Sequence, residues 1–382
     1  MRTTITLAFG LFVASAFAQP YLIGSRNITF NDPARNRNIG TEVYYPATSA
    51  GSNATVAAGQ FPVLVMGHGF AMGVNVYSNL WNYFVPKGYI MVLPTTEGGL
   101  LPAPSHGNFG LDLAFVAEAM QAANADPASP FFGKVAPATA LMGHSMGGGA
   151  SFLGAANNSN IQALVNFAPA ETDPSAIAAA ANVTVPTMVI AGANDCVTPI
   201  PEHQGPMYAA LTTPCRAFVN ITGASHCQFA ESNFNCNFGE LTCSPSAAIS
   251  RGVQHGIVND FAGLWLDHFL KGVPGAFDAI QDSLANSTRV TTQFTCLTTG
   301  VSETAVSGLS VAPVPANDRI IVRGTVAGDT FRIFDITGRE VLTGSIPGAS
   351  LELDVQRFPV GTYRILVDRA GAFEALSFVV AR

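Results

Sequence analysis

From residue 61 to 221 short, unbroken apolar runs recur, each closed by glycine, proline or small polar residues, and longer segments with helical spacing lie between them. Runs 61–69, 89–95, 138–143, 161–168, 186–192 and 216–221 have the length of strands, and several are continuously apolar, as strands covered on both faces should be. Segments 108–123, 145–156, 202–211 and 247–270 predict helices. Two earlier stretches, 21–30 and 41–45, predict antiparallel strands at one sheet edge. The alternation as a whole predicts an α/β fold, a mostly parallel central sheet with helices on both faces.

After Cys296 the pattern changes. Residues 297–308, rich in Thr, Ser and Gly, read as a linker, and short strands are expected at 319–322, 330–334, 340–343, 351–355, 362–367 and 375–380. Their spacing, punctuated by Ala327-Gly328-Asp329 and Gly361, predicts a small all-β sandwich with no visible chemistry.

The chain start adds one more segment: a single positive charge at Arg2, an apolar stretch from Ile5, and Ala16-Phe17-Ala18 before Gln19 form the layout of a cleaved secretory signal. That stretch is shorter than the roughly 20 residues a membrane span needs, and no later one qualifies. The expected organisation is therefore a signal at 1–18, an α/β domain at 19–296, a linker at 297–308 and a β-sandwich at 309–382. The destination is the cell surface or the medium.

Composition narrows the partners. Of 382 residues 48% are hydrophobic, ample for a large core, and only 11% are charged. The net charge of -7 is spread without basic runs, which argues against nucleic acid or an anionic membrane surface and favours a neutral substrate. A monomer is expected. Six cysteines suit an oxidising compartment, and none has C-x-x-C spacing, so metal or redox roles are not indicated. Sequence cannot choose among the pairings. The reading leans to Cys236 with Cys243, which are close in sequence, and to Cys196 with Cys227, whose neighbours must meet if they serve one site.

The candidate chemistry lies in Gly143-His144-Ser145-Met146-Gly147. This is a G-x-S-x-G pattern set where a strand turns sharply into a helix, which exposes a serine hydroxyl on a strained elbow. Against it stands a glycine-rich loop with an incidental serine. A serine needs a base oriented by a carboxylate, and strand ends supply both: Asp195 follows the run 186–192 and His226 follows 216–221. The order Ser145, Asp195, His226 is that of an α/β-hydrolase.

Glu171 is a rival acid, at another strand end. His203, His255 and His268 lie on predicted helices, and His106, in the loop 102–107, is a candidate cleft residue or a solvated one. Two backbone amides should hold the oxyanion, from Met146 at the helix start and from Phe70 in the turn Gly67-His68-Gly69-Phe70.

The span from about Asn27 to Cys296 resembles the esterase branch of the α/β-hydrolases that holds dienelactone-hydrolase-like, platelet-activating-factor-acetylhydrolase-like, chlorophyllase-like and cutinase or polyester-hydrolase-like enzymes. Asp32-Pro33-Ala34-Arg35, Val43-Tyr44-Tyr45-Pro46, the Phe70 turn, the Ser145 elbow, Gly192-Ala193-Asn194-Asp195 and Gly223-Ala224-Ser225-His226 carry that resemblance. It implies hydrolysis of esters or polyesters without metal or organic cofactor. No insertion between the core strands is long enough for a large lid, so an open cleft under a short cap is expected. Amide or peptide cleavage uses the same triad, and a surface protein that binds without catalysis would keep the same fold.

Cutinase-like polyester hydrolases are most similar in the elbow, and Phe70 matches their aromatic residue beside the oxyanion hole. Where they carry a tryptophan after the next strand, this chain has Ala170. The last 75 or so residues resemble the C-terminal sorting domain of the type IX secretion system, through Val311-Ala312-Pro313-Val314-Pro315-Ala316-Asn317-Asp318, Phe334-Asp335-Ile336-Thr337-Gly338-Arg339 and Gly361-Thr362-Tyr363. Val314 stands where that family has asparagine. The secretion machinery is the partner this implies.

Overall fold

The computed structural model describes residues 20–296, 309–335, 339–369 and 372–382, in two compact units. The expected signal and the expected linker lie outside the described residues, as does the centre of the motif around Gly338.

The first unit is built on a ten-stranded sheet. Its strands are β1 (Leu22–Asp32), β2 (Arg37–Ala47), β3 (Gly51–Ser52), β4 (Phe61–Gly67), β5 (Ile90–Pro94), β6 (Val135–His144), β7 (Ala163–Phe167), β8 (Thr187–Gly192), β9 (Cys215–Ile221) and β10 (Val290–Cys296). They run in the order β10-β9-β8-β7-β6-β4-β5-β2-β1-β3. The strands from β5 to β9 along that order pair in parallel, while β2, β1 and β10 add antiparallel edges. The helices are α1 (Ser78–Phe84), α2 (His106–Ala123), α3 (Met146–Ala155), α4 (Ala176–Ala180), α5 (Gln204–Ala210), α6 (Phe234–Gly239), α7 (Arg251–Lys271) and α8 (Ala276–Asn286).

Continuous apolarity in the central strands has a direct cause: β4, β5, β7 and β8 are buried at every position. Successive side chains alternate between two cores. Leu64, Met66, Met142, Val165 and Ile190 face one, with Phe261 and Trp265 of α7. Val63, Val65, Leu141, Leu164 and Val189 face the other, with Leu113 and Val116 of α2 and Phe152 of α3. The sheet is thus sealed on both sides, and only its strand ends are free to carry chemistry.

In this unit four helices and two strands were not expected from the sequence: α1, α4, α6, α8, the two-residue β3 and the edge strand β10. In β10 only Val290 is buried, and exposed threonines and a glutamine alternate with half-buried positions. A strand with one dry face at an edge leaves so weak an apolar signal. It is stapled to β9 by Cys215–Cys296, whose residues are register partners.

The other pairings correct the sequence reading. The bonds are Cys196–Cys243 and Cys227–Cys236, not Cys236 with Cys243 or Cys196 with Cys227. Asp195 and His226 do meet, but the cysteines that follow them pair separately, one with α6 and one with the chain beyond it. Cys236 reaches Cys227 from the first turn of α6, and the chain beyond it carries Cys243 to the Asp195 loop.

The second unit holds two antiparallel sheets. One has the order β11 (Ser310–Ala312), β12 (Arg319–Arg323), β15 (Ser350–Asp354). The other runs β14 (Glu340–Ser345), β13 (Thr330–Asp335), β16 (Gly361–Arg369), β17 (Ala372–Val380). Ile320, Val322, Ile333, Leu351, Ile365 and Phe378 form its core from alternating positions on both sheets.

Candidate active site

Ser145 follows the last residue of β6 and precedes the first of α3, with φ 55° and ψ -121°. Left-handed φ is costly for a residue with a Cβ and persists only where the surroundings impose it. Glycines impose it. A Cβ on Gly143 would fall 2.2 Å from the Gly147 oxygen, and one on Gly147 would fall 2.2 Å from the backbone of Gly67. Helix α3 can therefore start directly against the end of β4. Met146 opens that helix, where the first amides have no intrahelical partner and the dipole favours an anion.

The turn after β4 faces this helix start. Gly69 N–H donates to the Tyr77 hydroxyl at 2.7 Å, while Phe70, the next residue, is half exposed. His68 is buried, with its ring nitrogens 2.9 Å from the Gly69 and Thr96 carbonyls. Burial pushes its imidazole below the ordinary histidine value. Thr96 is fixed in turn by its hydroxyl bond to the buried Asp112 at 2.6 Å, and Asp112 also takes Arg37 and Arg35.

Tyr77 has a second bond, 2.9 Å to Nδ1 of His144, and His144 Nε2 lies 3.1 Å from the His226 carbonyl. In the neutral ring Nε2–H donates to the His226 carbonyl, so Nδ1 accepts from the Tyr77 hydroxyl, which itself accepts from Gly69. Such a ring is neutral. Burial drives its pKa well down, with His226 adding to the effect.

His226 and Asp195 come from the ends of the neighbouring strands β9 and β8, and His226 Nδ1 lies 2.8 Å from Asp195 Oδ2. Both side chains are almost fully buried. The other carboxylate oxygen accepts the Val197 and Thr198 amides at 2.9 and 2.8 Å. Thr198 Oγ1 donates to Oδ2 at 2.8 Å and is itself held by the buried Gln204 amide at 2.9 Å. The carboxylate is thus fixed and Nδ1–H is directed to it, which leaves Nε2 as a base. Neither Thr198 nor Gln204 was singled out in the sequence. Their one signal is a hydroxyl three residues after an aspartate.

A further set holds the His226 loop. Glu240 accepts the Cys227 amide at 2.8 Å and lies 3.3 Å from the Ser225 hydroxyl. Gln254 bonds both the amide and the carbonyl of Ser225, at 3.1 and 2.9 Å.

The expected site residues sort as follows. Asp195 and His226 are in contact, and His226 is tied to the elbow through His144. Among the described residues no hydrogen bond joins the Ser145 hydroxyl to the His226 ring, a contact that commonly tightens only with substrate. Ala170 lies beside the elbow, its amide donating to the Ser145 carbonyl at 2.9 Å. His106 opens α2 and accepts the Asp173 amide at 3.2 Å. Glu171, the rival acid, is engaged elsewhere: its carboxylate takes the Ile177 amide at 2.9 Å and its own amide donates to His203.

Residues 34–244 match a family described as PET hydrolase-like, and residues 310–380 match the secretion system C-terminal sorting domain. A bis(hydroxyethyl) terephthalate hydrolase of Streptomyces coelicolor is similar, 30% identical over 27% of this chain and 32% of its own length. Cutinase est2 of Thermobifida alba is 32% identical over 23% of this chain and 28% of its own. Cutinase 1 of Thermobifida cellulosilytica is also 32% identical, over 23% of this chain and 32% of its own. The matches thus span about a third of these curated relatives or less. The sorting domain marks a secreted or cell-surface protein.

Proposed function

The chain belongs to the PET hydrolase-like family, and from that premise we propose that it is a serine carboxylic-ester hydrolase acting on acyl esters and polyesters. Residues 19–296 form the catalytic domain in this reading, and 309–382 the sorting domain addressed to the type IX secretion machinery. The observation that carries it is the buried His226–Asp195 pair, 2.8 Å apart, at the strand edge that also presents the left-handed Ser145.

Ser145 Oγ attacks the ester carbonyl carbon while its proton passes to His226 Nε2. The oxyanion so formed is held by the Met146 and Phe70 amides. As the carbon–oxygen bond to the alcohol breaks, His226 returns the proton to the leaving oxygen. Water then attacks the acyl-enzyme, giving its proton to His226, and Ser145 Oγ recovers it as the acid departs. Asp195 keeps the imidazole in one tautomer and stabilises the imidazolium throughout.

The test is a panel of nitrophenyl esters of rising acyl length, with aliphatic and aromatic polyester films, assayed on the chain and on Ser145→Ala. Activity confined to the unaltered chain is expected, with a preference for aliphatic film because Ala170 offers no ring to stack on. Full activity in Ser145→Ala removes the serine from the mechanism. Cleavage of anilides at rates equal to esters would move the reading to an amidase.

A further inference from the structure

Four loops leave the carboxyl ends of parallel strands and carry exposed apolar side chains at the edge where Ser145, Asp195 and His226 also lie. Phe70 follows β4, Leu100 and Leu101 follow β5, Val197 follows β8, and Phe234, Phe238 and Leu241 follow β9. The last loop differs from the others in build. Phe234 and Phe238, 81% and 67% exposed, stand one turn apart on α6 with ring centroids at 6.2 Å and planes 25° from parallel. Neither ring is covered by the fold. Residues 232–239 carry no charge.

This short helix is also held rigidly. Cys236 bonds Cys227 next to His226, and Cys243 bonds Cys196 next to Asp195. Asn235 Nδ2 donates to the Ala71 carbonyl at 2.6 Å, and the Glu231 amide donates to Val76 at 2.7 Å, so α6 sits beside the turn that holds Phe70. Two phenyl rings in water, carried on a backbone that the disulfides tether, form a preorganised apolar contact.

We propose that Phe234 and Phe238 form an adsorption platform for a water-insoluble polyester, which holds the solid surface against the edge that carries Ser145. The proposal rests on Ser145 acting on esters. A polymer surface suits the platform because it covers both rings and Phe70 together, whereas a small soluble ester needs only the serine. The segment lacks the basic residues that an anionic headgroup would pair with.

The experiment compares the full chain with a Phe234→Ser/Phe238→Ser double variant. Adsorption to polycaprolactone film is measured in a Ser145→Ala background, and kcat/KM on nitrophenyl butyrate with Ser145 intact. The double variant is expected to lose about tenfold or more in film partitioning and to lose film hydrolysis in proportion. Its soluble-ester kcat/KM should stay within about twofold, as for surface changes that leave the fold alone. Unchanged adsorption, or an equal loss on the soluble ester, overturns the platform. So does adsorption to neutral phosphatidylcholine vesicles as strong as to film. Loss of self-association without loss of film binding would assign the rings to a second copy and overturn it too. If Ser145→Ala cleaves nitrophenyl butyrate at full rate, the catalytic reading fails instead, and the adsorption comparison still stands by itself.

Discussion

The Tyr77 hydroxyl lies 2.9 Å from Nδ1 of His144, and through this bond the turn after β4 is coupled to the loop that carries His226. A phenol and an imidazole, both fully buried, therefore join the two halves of the candidate site across the elbow.

Tyr77→Phe keeps the ring and removes the bond. The Gly69 amide is then buried without its acceptor, at a cost of roughly 1–3 kcal/mol in unfolding free energy. Urea denaturation measures that loss. Ester hydrolysis should show a lower kcat with little change in KM, because in the proposed mechanism the displaced turn serves the oxyanion rather than the bound ester. An unaltered kcat would show that the Gly69 turn holds its place without Tyr77.

The buried histidines set a pH dependence of stability. His144 and His68 are held below the ordinary value by burial, so in the unfolded chain they bind protons at a pH where the folded chain does not. Their contribution is complete above about pH 6.5 and is lost as pH falls from there toward the folded-state values. Denaturation midpoints should drop between pH 8 and pH 5. In His144→Gln the slope should flatten by up to ~1.4 kcal/mol per pH unit, the worth of one proton. Parallel profiles for the two proteins would exclude His144 as a source.

Thr198→Val removes the hydroxyl that donates to Asp195 Oδ2, while the Gln204 amide keeps the Pro169 and Thr198 carbonyls as acceptors. A loss of about tenfold in kcat/KM is expected, carried by kcat, since a net bond to a charged group is worth roughly 1.5–3 kcal/mol. Thr198→Ser should restore most of the rate. Equal rates in Val and Ser variants would reduce Thr198 to a packing residue.

The three disulfides should divide between stability and activity. Cys215–Cys296 closes a separation of 81 residues between two strands, and its removal should cost about 2–4 kcal/mol of stability with ester kinetics preserved. Cys196–Cys243, at a separation of 47, adjoins Asp195. Its Ser/Ser variant should lose activity at temperatures where far-ultraviolet circular dichroism still reports a folded chain. Simultaneous loss of both signals would deny it any local role.

Much of the fold was legible because β4, β5, β7 and β8 are buried on both faces and so read as mainly apolar runs. The chemistry-bearing residues could be sought at strand ends for the same reason: a sealed sheet leaves nowhere else. What escaped lies at the rim. Strand β10 alternates threonine with half-buried positions, and α6 shows no buried residue at all, so neither imprints an apolar period on the sequence. Thr198 and Gln204 were hidden differently, because their roles depend on a loop bringing them back under Asp195. The disulfides misled for a related reason: proximity of Asp195 and His226 says nothing of where Cys196 and Cys227 point.

Helix α3 meets its neighbours with no clearance. A Cβ on Gly149 would lie 2.2 Å from the Ala170 oxygen, as one on Gly147 would from the Gly67 backbone. Mutational drift is thus barred from the elbow itself, since even an added methyl group would push α3 off the chain segments it packs against. Room for change lies instead in the loops after β5 and β9, where side chains stand in solvent and substitutions leave the seat of Ser145 untouched.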